Sequence, residues 1–209
     1  MASASDSRAL PGLAPTRLWD VRLARLLVGP LQNTRVRPNH LTTVGLITGL
    51  GTAALYASGD RTLSYWGAAS FVVTTVLDHA DGELARATGT TSTFGHHYDR
   101  IVDLLVKIGV FVGMGVGLRH GPHGTWAVLE GIAAGISLVT IFVFRGRMAA
   151  RRGVAAFRQP SFAGFELEDI LYVIAPVTWL GYLPTFLLGA GIGAPIFALW
   201  IVRQYRRDG

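Results

Sequence analysis

Six stretches of this chain are apolar over lengths that match, or nearly match, the thickness of a lipid bilayer. They run roughly Leu41–Ser58, Leu63–Ala85, Tyr98–Leu118, Thr125–Phe144, Ile170–Tyr182 and Pro184–Val202. A run of about twenty apolar residues reads as a membrane-spanning helix, because a helix pairs its own backbone groups where water is absent. The fifth run is short, and Pro176 within it is expected to kink it. Gly59-Asp60 and Gly121-Pro122 mark turns between runs. Composition agrees. Half of the 209 residues are hydrophobic and 15% are charged, where a soluble domain carries about a quarter. The expected fold class is an all-α integral membrane protein: six transmembrane helices preceded by an N-terminal interfacial helix. Residues 1–15 are rich in Ser, Ala and Pro and lack the apolar core of a signal peptide. They are expected to be a disordered lead-in to one membrane domain, 16–209. The chain has no cysteine, which excludes disulfides and thiolate metal sites.

The net charge of +6 is placed, not spread. With the N-terminus inside, the inner side receives Arg8, Arg17, Arg22, Arg25, Arg35 and Arg37 before the first span. Arg86 and Arg100 follow between spans two and three, then Arg145, Arg147, Arg151, Arg152 and Arg158 between four and five. Arg203, Arg206 and Arg207 follow span six. The outer side has only Arg61 and Arg119, and Lys107 lies within span three. The positive-inside rule then puts both termini in the cytoplasm. Basic clusters between apolar runs point to anionic lipid and anionic substrate as partners, not to nucleic acid. Residues Thr16 to Val28 set Trp19, Leu23, Leu26 and Leu27 on one helical face, with Arg22 at its edge. This is the pattern of an interfacial helix along the inner leaflet, over about 16–34; an ordinary basic juxtamembrane segment is the plainer alternative.

Against that background the stretch from Leu77 to Leu105 is anomalous. It places Asp78, Asp81, Asp99 and Asp103 where lipid is expected. One aspartate at the bilayer centre costs on the order of 3 kcal/mol, so the four must face a polar cavity near the interface. Asp78 and Asp81, three apart, share a helix face with Gly82 and Ala85, while Glu83 points elsewhere. Asp99 and Asp103, four apart, share another face, with Gly95 one turn earlier. Thr88 to Thr93 is loop-like, and Ser92 or Thr93 suits a helix cap. Two helices joined by that loop would set four carboxylates against one another. Like charges so placed need protons or divalent cations. Oxygen-only ligands favour Mg²⁺, Mn²⁺ or Ca²⁺ over zinc, and a pair of divalent ions suits phosphoryl chemistry. The small residues beside the acids would serve close helix packing or the approach of a flat substrate.

The pattern Asp78-x-x-Asp81-Gly82-x-x-Ala85-Arg86, eight residues, Gly95-x-x-x-Asp99-x-x-x-Asp103 resembles the signature of the CDP-alcohol phosphotransferase family, with Pro38-Asn39-x-x-Thr42 extending the likeness to the first span. The resemblance implies a homodimeric six-helix membrane enzyme of phospholipid biosynthesis. It would move a phosphoalcohol group, of phosphatidyl type, from a CDP-linked donor to an alcohol acceptor, releasing CMP. It implies two Mg²⁺ (or Mn²⁺) ions on Asp78, Asp81, Asp99 and Asp103, with Asp103 also the base for the acceptor hydroxyl. It implies a donor site at Gly82, Ala85, Arg86 and Gly95, with Asn39 and Thr42 beside it. Arg145, Arg147, Arg151 and Arg203 would meet the acceptor if that is itself a phosphate, although a positive-inside excess explains them as well. The acceptor stays open among serine, glycerol phosphate, inositol phosphate and other polyols. The donor stays open between CDP-diacylglycerol and a soluble CDP-alcohol.

Other polar residues carry less. Lys107 either pairs with Asp103 or reaches substrate phosphate. Glu130 is expected to serve a helix contact. His79, His96 and His97 lack zinc-ligand spacing. Glu166, Glu168 and Asp169 read as a solvated cap or an acceptor entrance. The rival function is a divalent-cation transporter whose path is lined by intramembrane carboxylates; it leaves the fixed Gly-x-x-Ala-Arg companion unexplained.

Overall fold

The structure, a computed structural model, describes residues 18–152 and 170–207. The lead-in, Arg158 and the acidic group at Glu166, Glu168 and Asp169 lie outside the described residues, as do the side chains of Trp19 and Arg22. Among the described residues seven α-helices follow one another: α1 (Leu18–Leu31), α2 (Pro38–Ala57), α3 (Arg61–Thr88), α4 (Thr93–Gly117), α5 (Trp126–Arg152), α6 (Ile170–Trp179) and α7 (Leu183–Arg207), with a 3-10 turn at Leu118–His120. Each expected span coincides with one of α2 to α7. The turns are set by local chemistry. Asp60 caps α3 by accepting from the Leu63 N–H at 2.8 Å. Gly89 ends α3 with φ of 65°, a left-handed conformation that glycine adopts at no steric cost. Ser92 caps α4 by accepting from the Gly95 N–H at 3.0 Å.

Among the described residues three helical stretches are long and apolar enough to cross a membrane: Thr93–His120, Trp126–Arg151 and Leu183–Arg207. The other three differ for visible reasons. Helix α2 is rich in Thr and Gly, α3 carries the acidic motif, and α6 has ten residues among those described.

Helix α2 is the centre of one half, packed against both α3 and α4; α5 joins α4 to α7, and α6 lies on α3. The close approaches are made by glycine. A Cβ on Gly113 would overlap the Ala53 carbonyl, one on Gly117 the Tyr56 carbonyl, and one on Gly131 the Phe111 carbonyl. Small residues let backbones meet where lipid supplies no hydrophobic drive between helices. Tyr56, Phe71, Val110, Met114 and Leu187 fill the core around them. Hydroxyls stitch α2 to its neighbours: Thr74 donates to Thr48 at 2.9 Å, Thr52 to Ser70 at 2.8 Å, and the Tyr56 and Thr178 hydroxyls are hydrogen-bonded at 2.9 Å. Each such bond is worth about 0.6 kcal/mol in a membrane protein. Glu130 sits against Gly191 of α7, with His123 Nδ1 3.1 Å from its carboxylate, as a helix-contact residue would.

Helix α1 docks at the end of the molecule where α3 stops. Ala24 and Val28 are buried against Ala80 and Leu84, and Arg25 lies 3.6 Å from Glu83. That exposed ion pair contributes little, so the apolar contact holds the helix. Leu23, Leu26 and Leu27 are left exposed, Leu26 by 73%. This is the face the sequence marks for lipid.

Candidate active site

Helices α3 and α4 bring the four aspartates to the same end of the molecule, though not by packing together. The two barely touch, and α2 lies against both. The carboxylates therefore look across a gap whose third wall is α2, where the sequence suggests two adjoining helices. They still share one electrostatic neighbourhood. Asp78 interacts with Asp103 and Asp99, Asp81 with Asp99 and Asp78, and Asp99 with Asp103. Among the described residues, no three acidic or histidine side chains are gathered closely enough to hold a metal ion as they stand.

Two internal partners account for part of that spacing. Asp81 is buried, and its Oδ2 accepts a hydrogen bond of 2.5 Å from Thr42 Oγ1, itself buried at the start of α2. Asp103 is paired through both oxygens with Lys107 Nζ at 2.5 Å, one turn along α4. The lysine also lies over the Phe142 ring of α5, 4.3 Å from its centroid. The donor set suits a hard divalent cation nonetheless. It consists of carboxylate oxygens within electrostatic range of one another, and it carries more negative charge than its lysine offsets.

The two motif glycines have different surroundings. A Cβ on Gly82 would meet only the Arg86 guanidinium, at 3.6 Å. Arg86 folds back over that face to pair with Glu83 at 3.0 Å, and Ala85 is half-buried beside it. A Cβ on Gly95 would lie 3.0 Å from Ser92 Oγ and 3.1 Å from Asn39 Oδ1. Asn39 of α2 thus reaches the first turn of α4, and the absent side chain at Gly95 is what makes room for it. Thr42 faces Asp81.

Residues 35–203 match the CDP-alcohol phosphatidyltransferase family. The chain belongs to that family. An archaetidylinositol phosphate synthase from Pyrococcus horikoshii is 34% identical over 88 residues, covering 42% of this chain and 45% of that protein. The chain therefore aligns with less than half the length of that relative. A crystal structure of the Mycobacterium tuberculosis phosphatidylinositol phosphate synthase, with CDP-DAG bound, superposes with a TM-score of 0.69. It has 17% sequence identity, and the overlap covers 88% of this chain and 94% of the other. At that identity the likeness speaks for the fold.

The basic residues of this family member on α5 and α7 differ in their surroundings. Arg147 stacks near Phe144 at 5.5 Å, and Arg151 lies over the Tyr205 ring at 4.3 Å, tying the end of α5 to α7. Arg145 is half-buried and Arg203 exposed. Arg100, marked on sequence grounds only as an inner-side cation, reaches α5, where a Cβ on Gly146 would lie 2.9 Å from its Nη2. Tyr98 was missed. Its hydroxyl is 3.0 Å from Thr43 Oγ1 and its ring stacks on Phe94 at 6.2 Å. Only its spacing, one position before Asp99, hinted at it.

Proposed function

We propose that the protein transfers a phosphoalcohol group, of phosphatidyl type, from a CDP-linked donor to an alcohol acceptor and releases CMP. The observation that carries this reading is the shared electrostatic neighbourhood of Asp78, Asp81, Asp99 and Asp103, beside a helix face left without bulk at Gly82. An ion path accounts for the acids but not for that face.

In this reading the four carboxylates hold two Mg²⁺ or Mn²⁺ ions. When bound, these would neutralise the donor diphosphate and stabilise the departing CMP. The chain's own residues do the rest. Thr42 keeps the Asp81 carboxylate aimed into the gap. Gly82, Ala85 and Gly95 leave space for the flat cytidine, with Asn39 at its edge and Arg86 beside the phosphates. The acceptor oxygen bonds to the lipid-side phosphorus, and the bridging P–O bond breaks with its electron pair going to CMP. The acceptor's proton passes to Asp103, a general base within the gap. Arg145, Arg147, Arg151 and Arg203 border the acceptor side if the acceptor is a phosphate; Arg147 and Arg151 are anchored by rings.

The reading extends to placement. Residues 16–209 form one membrane domain in which α2 to α7 span the cell membrane, α1 lies on its inner surface and both termini are cytoplasmic. This puts the active site at the inner leaflet, where the arginines gather. The family resemblance adds a homodimer, checked by cross-linking in nanodiscs. The reaction is tested with purified protein, CDP-diacylglycerol, Mg²⁺ and candidate alcohols. Metal-dependent CMP release is expected. Divalent-ion flux in liposomes without CMP would establish the transporter instead.

A further inference from the structure

Lys107 stands out because it spends its charge inside the site. Its ammonium touches both oxygens of Asp103 at 2.5 Å and rests on the Phe142 ring at 4.3 Å, with a side chain only 12% exposed. It also lies within electrostatic range of Asp78 and Asp99. Neither its ring contact with α5 nor its pairing follows from the acidic motif, which ends at Asp103. We infer that Lys107 is a resident counter-ion that takes up part of the metal site, so that the second divalent ion binds only when the donor's diphosphate arrives. This rests on the two-metal reading above.

The argument is one of charge and geometry. Four carboxylates against one ammonium leave an excess of three negative charges. The first divalent ion removes most of it. A second would turn the gap positive and would face the lysine across Asp103, whose oxygens are already engaged. Cations so crowded in a partly desolvated site repel strongly. The anionic diphosphate reverses the balance, because its charge offsets the second ion and its oxygens compete for Lys107. Coupling of this kind is reciprocal: the donor tightens the second ion, and the second ion tightens the donor. A protein built this way does not gather a full metal pair, and the catalytic base stays held by Lys107, until there is substrate to act on.

The test is equilibrium dialysis of Mn²⁺ against the purified protein, with and without CDP, the protein-free chamber correcting for Mn²⁺ held by CDP itself. The wild type should hold a single Mn²⁺ tightly without CDP and a second with it. Lys107→Met should hold both without CDP, while Lys107→Arg, which keeps the charge, should behave as the wild type does. If Lys107→Met fails to fold, Lys107→Gln and the wild-type comparison carry the test. Wild-type protein that takes up both ions without CDP overturns the proposal and leaves the two-metal reading standing. So does a lysine-free variant that still needs CDP for the second ion. No tight Mn²⁺ under any condition removes both.

Discussion

At Asp81 one hydroxyl decides where a buried carboxylate points. Thr42 and Asp81 are 39 positions apart, and both are almost fully buried, by 4% and 5% residual exposure. Groups that orient a metal ligand commonly matter by about 10- to 100-fold in metal affinity. Thr42→Val should therefore raise the Mg²⁺ needed for half-maximal CMP release by roughly tenfold or more, and weaken Mn²⁺ binding in parallel. Thr42→Ser should restore both. Unchanged metal dependence in the valine variant would show that the hydroxyl does not position Asp81. Asp103→Asn should abolish CMP release while the protein stays folded by size exclusion and circular dichroism; wild-type turnover would remove Asp103 from the reaction. The acid quartet was legible in the sequence because helical periodicity alone puts residues three or four apart on one face. Thr42 was marked for its motif position, but as a donor contact. Its bond to Asp81 follows from how α2 lies against α3, which no local pattern states.

Between elements, glycine sets the distances. The Gly131 position in α5 lies so close to the Phe111 carbonyl of α4 that a methyl group there must push the helices apart. Gly131→Ala should lower the thermal unfolding midpoint in detergent, at a cost of about 1–3 kcal/mol for an overpacked contact. Gly29→Ala, where a Cβ meets nothing within 4 Å, is the control and should shift it little. The positions of the elements were readable from the apolar runs, the Ser92 or Thr93 cap and the glycine turns, although α5 continues past the expected end at Phe144 to Arg152. The arrangement was not. A loop of four residues between α3 and α4 suggests that they adjoin, yet α2 takes that place and the acids face each other across a gap. The second, buried side of α1 was hidden for a similar reason. Ala24 and Val28 are unremarkable in sequence and become a docking surface only when Ala80 and Leu84 are opposite them.

For the molecule as a whole, sidedness is the testable property. Because the chain has no cysteine, any introduced thiol is unique. Pro122→Cys, in the turn before α5, should react with a membrane-impermeant maleimide in intact cells. Thr91→Cys, in the loop between α3 and α4, should react only after the membrane is opened. The reverse pattern would invert the proposed topology and move the site to the outer face. That orientation is read from charge. Arginine placement is a sum over loops and needs no knowledge of packing.

Sequence alone therefore settled properties that are local: which segments are helical, which acids share a face and where the motif falls. The Lys107 pairing with Asp103, one turn apart, was one of the two readings the sequence offered; tertiary structure decided that Thr42 partners Asp81, that Phe142 lies under Lys107, and that a gap, not a helix seam, separates the pairs. The physical reason is that helical phase repeats within a few residues and is written in neighbouring positions. The crossing and register of α2, α3, α4 and α5 depend on many small side-chain fits at once, glycine against carbonyl most of all, and no short stretch of sequence contains both sides of such a fit.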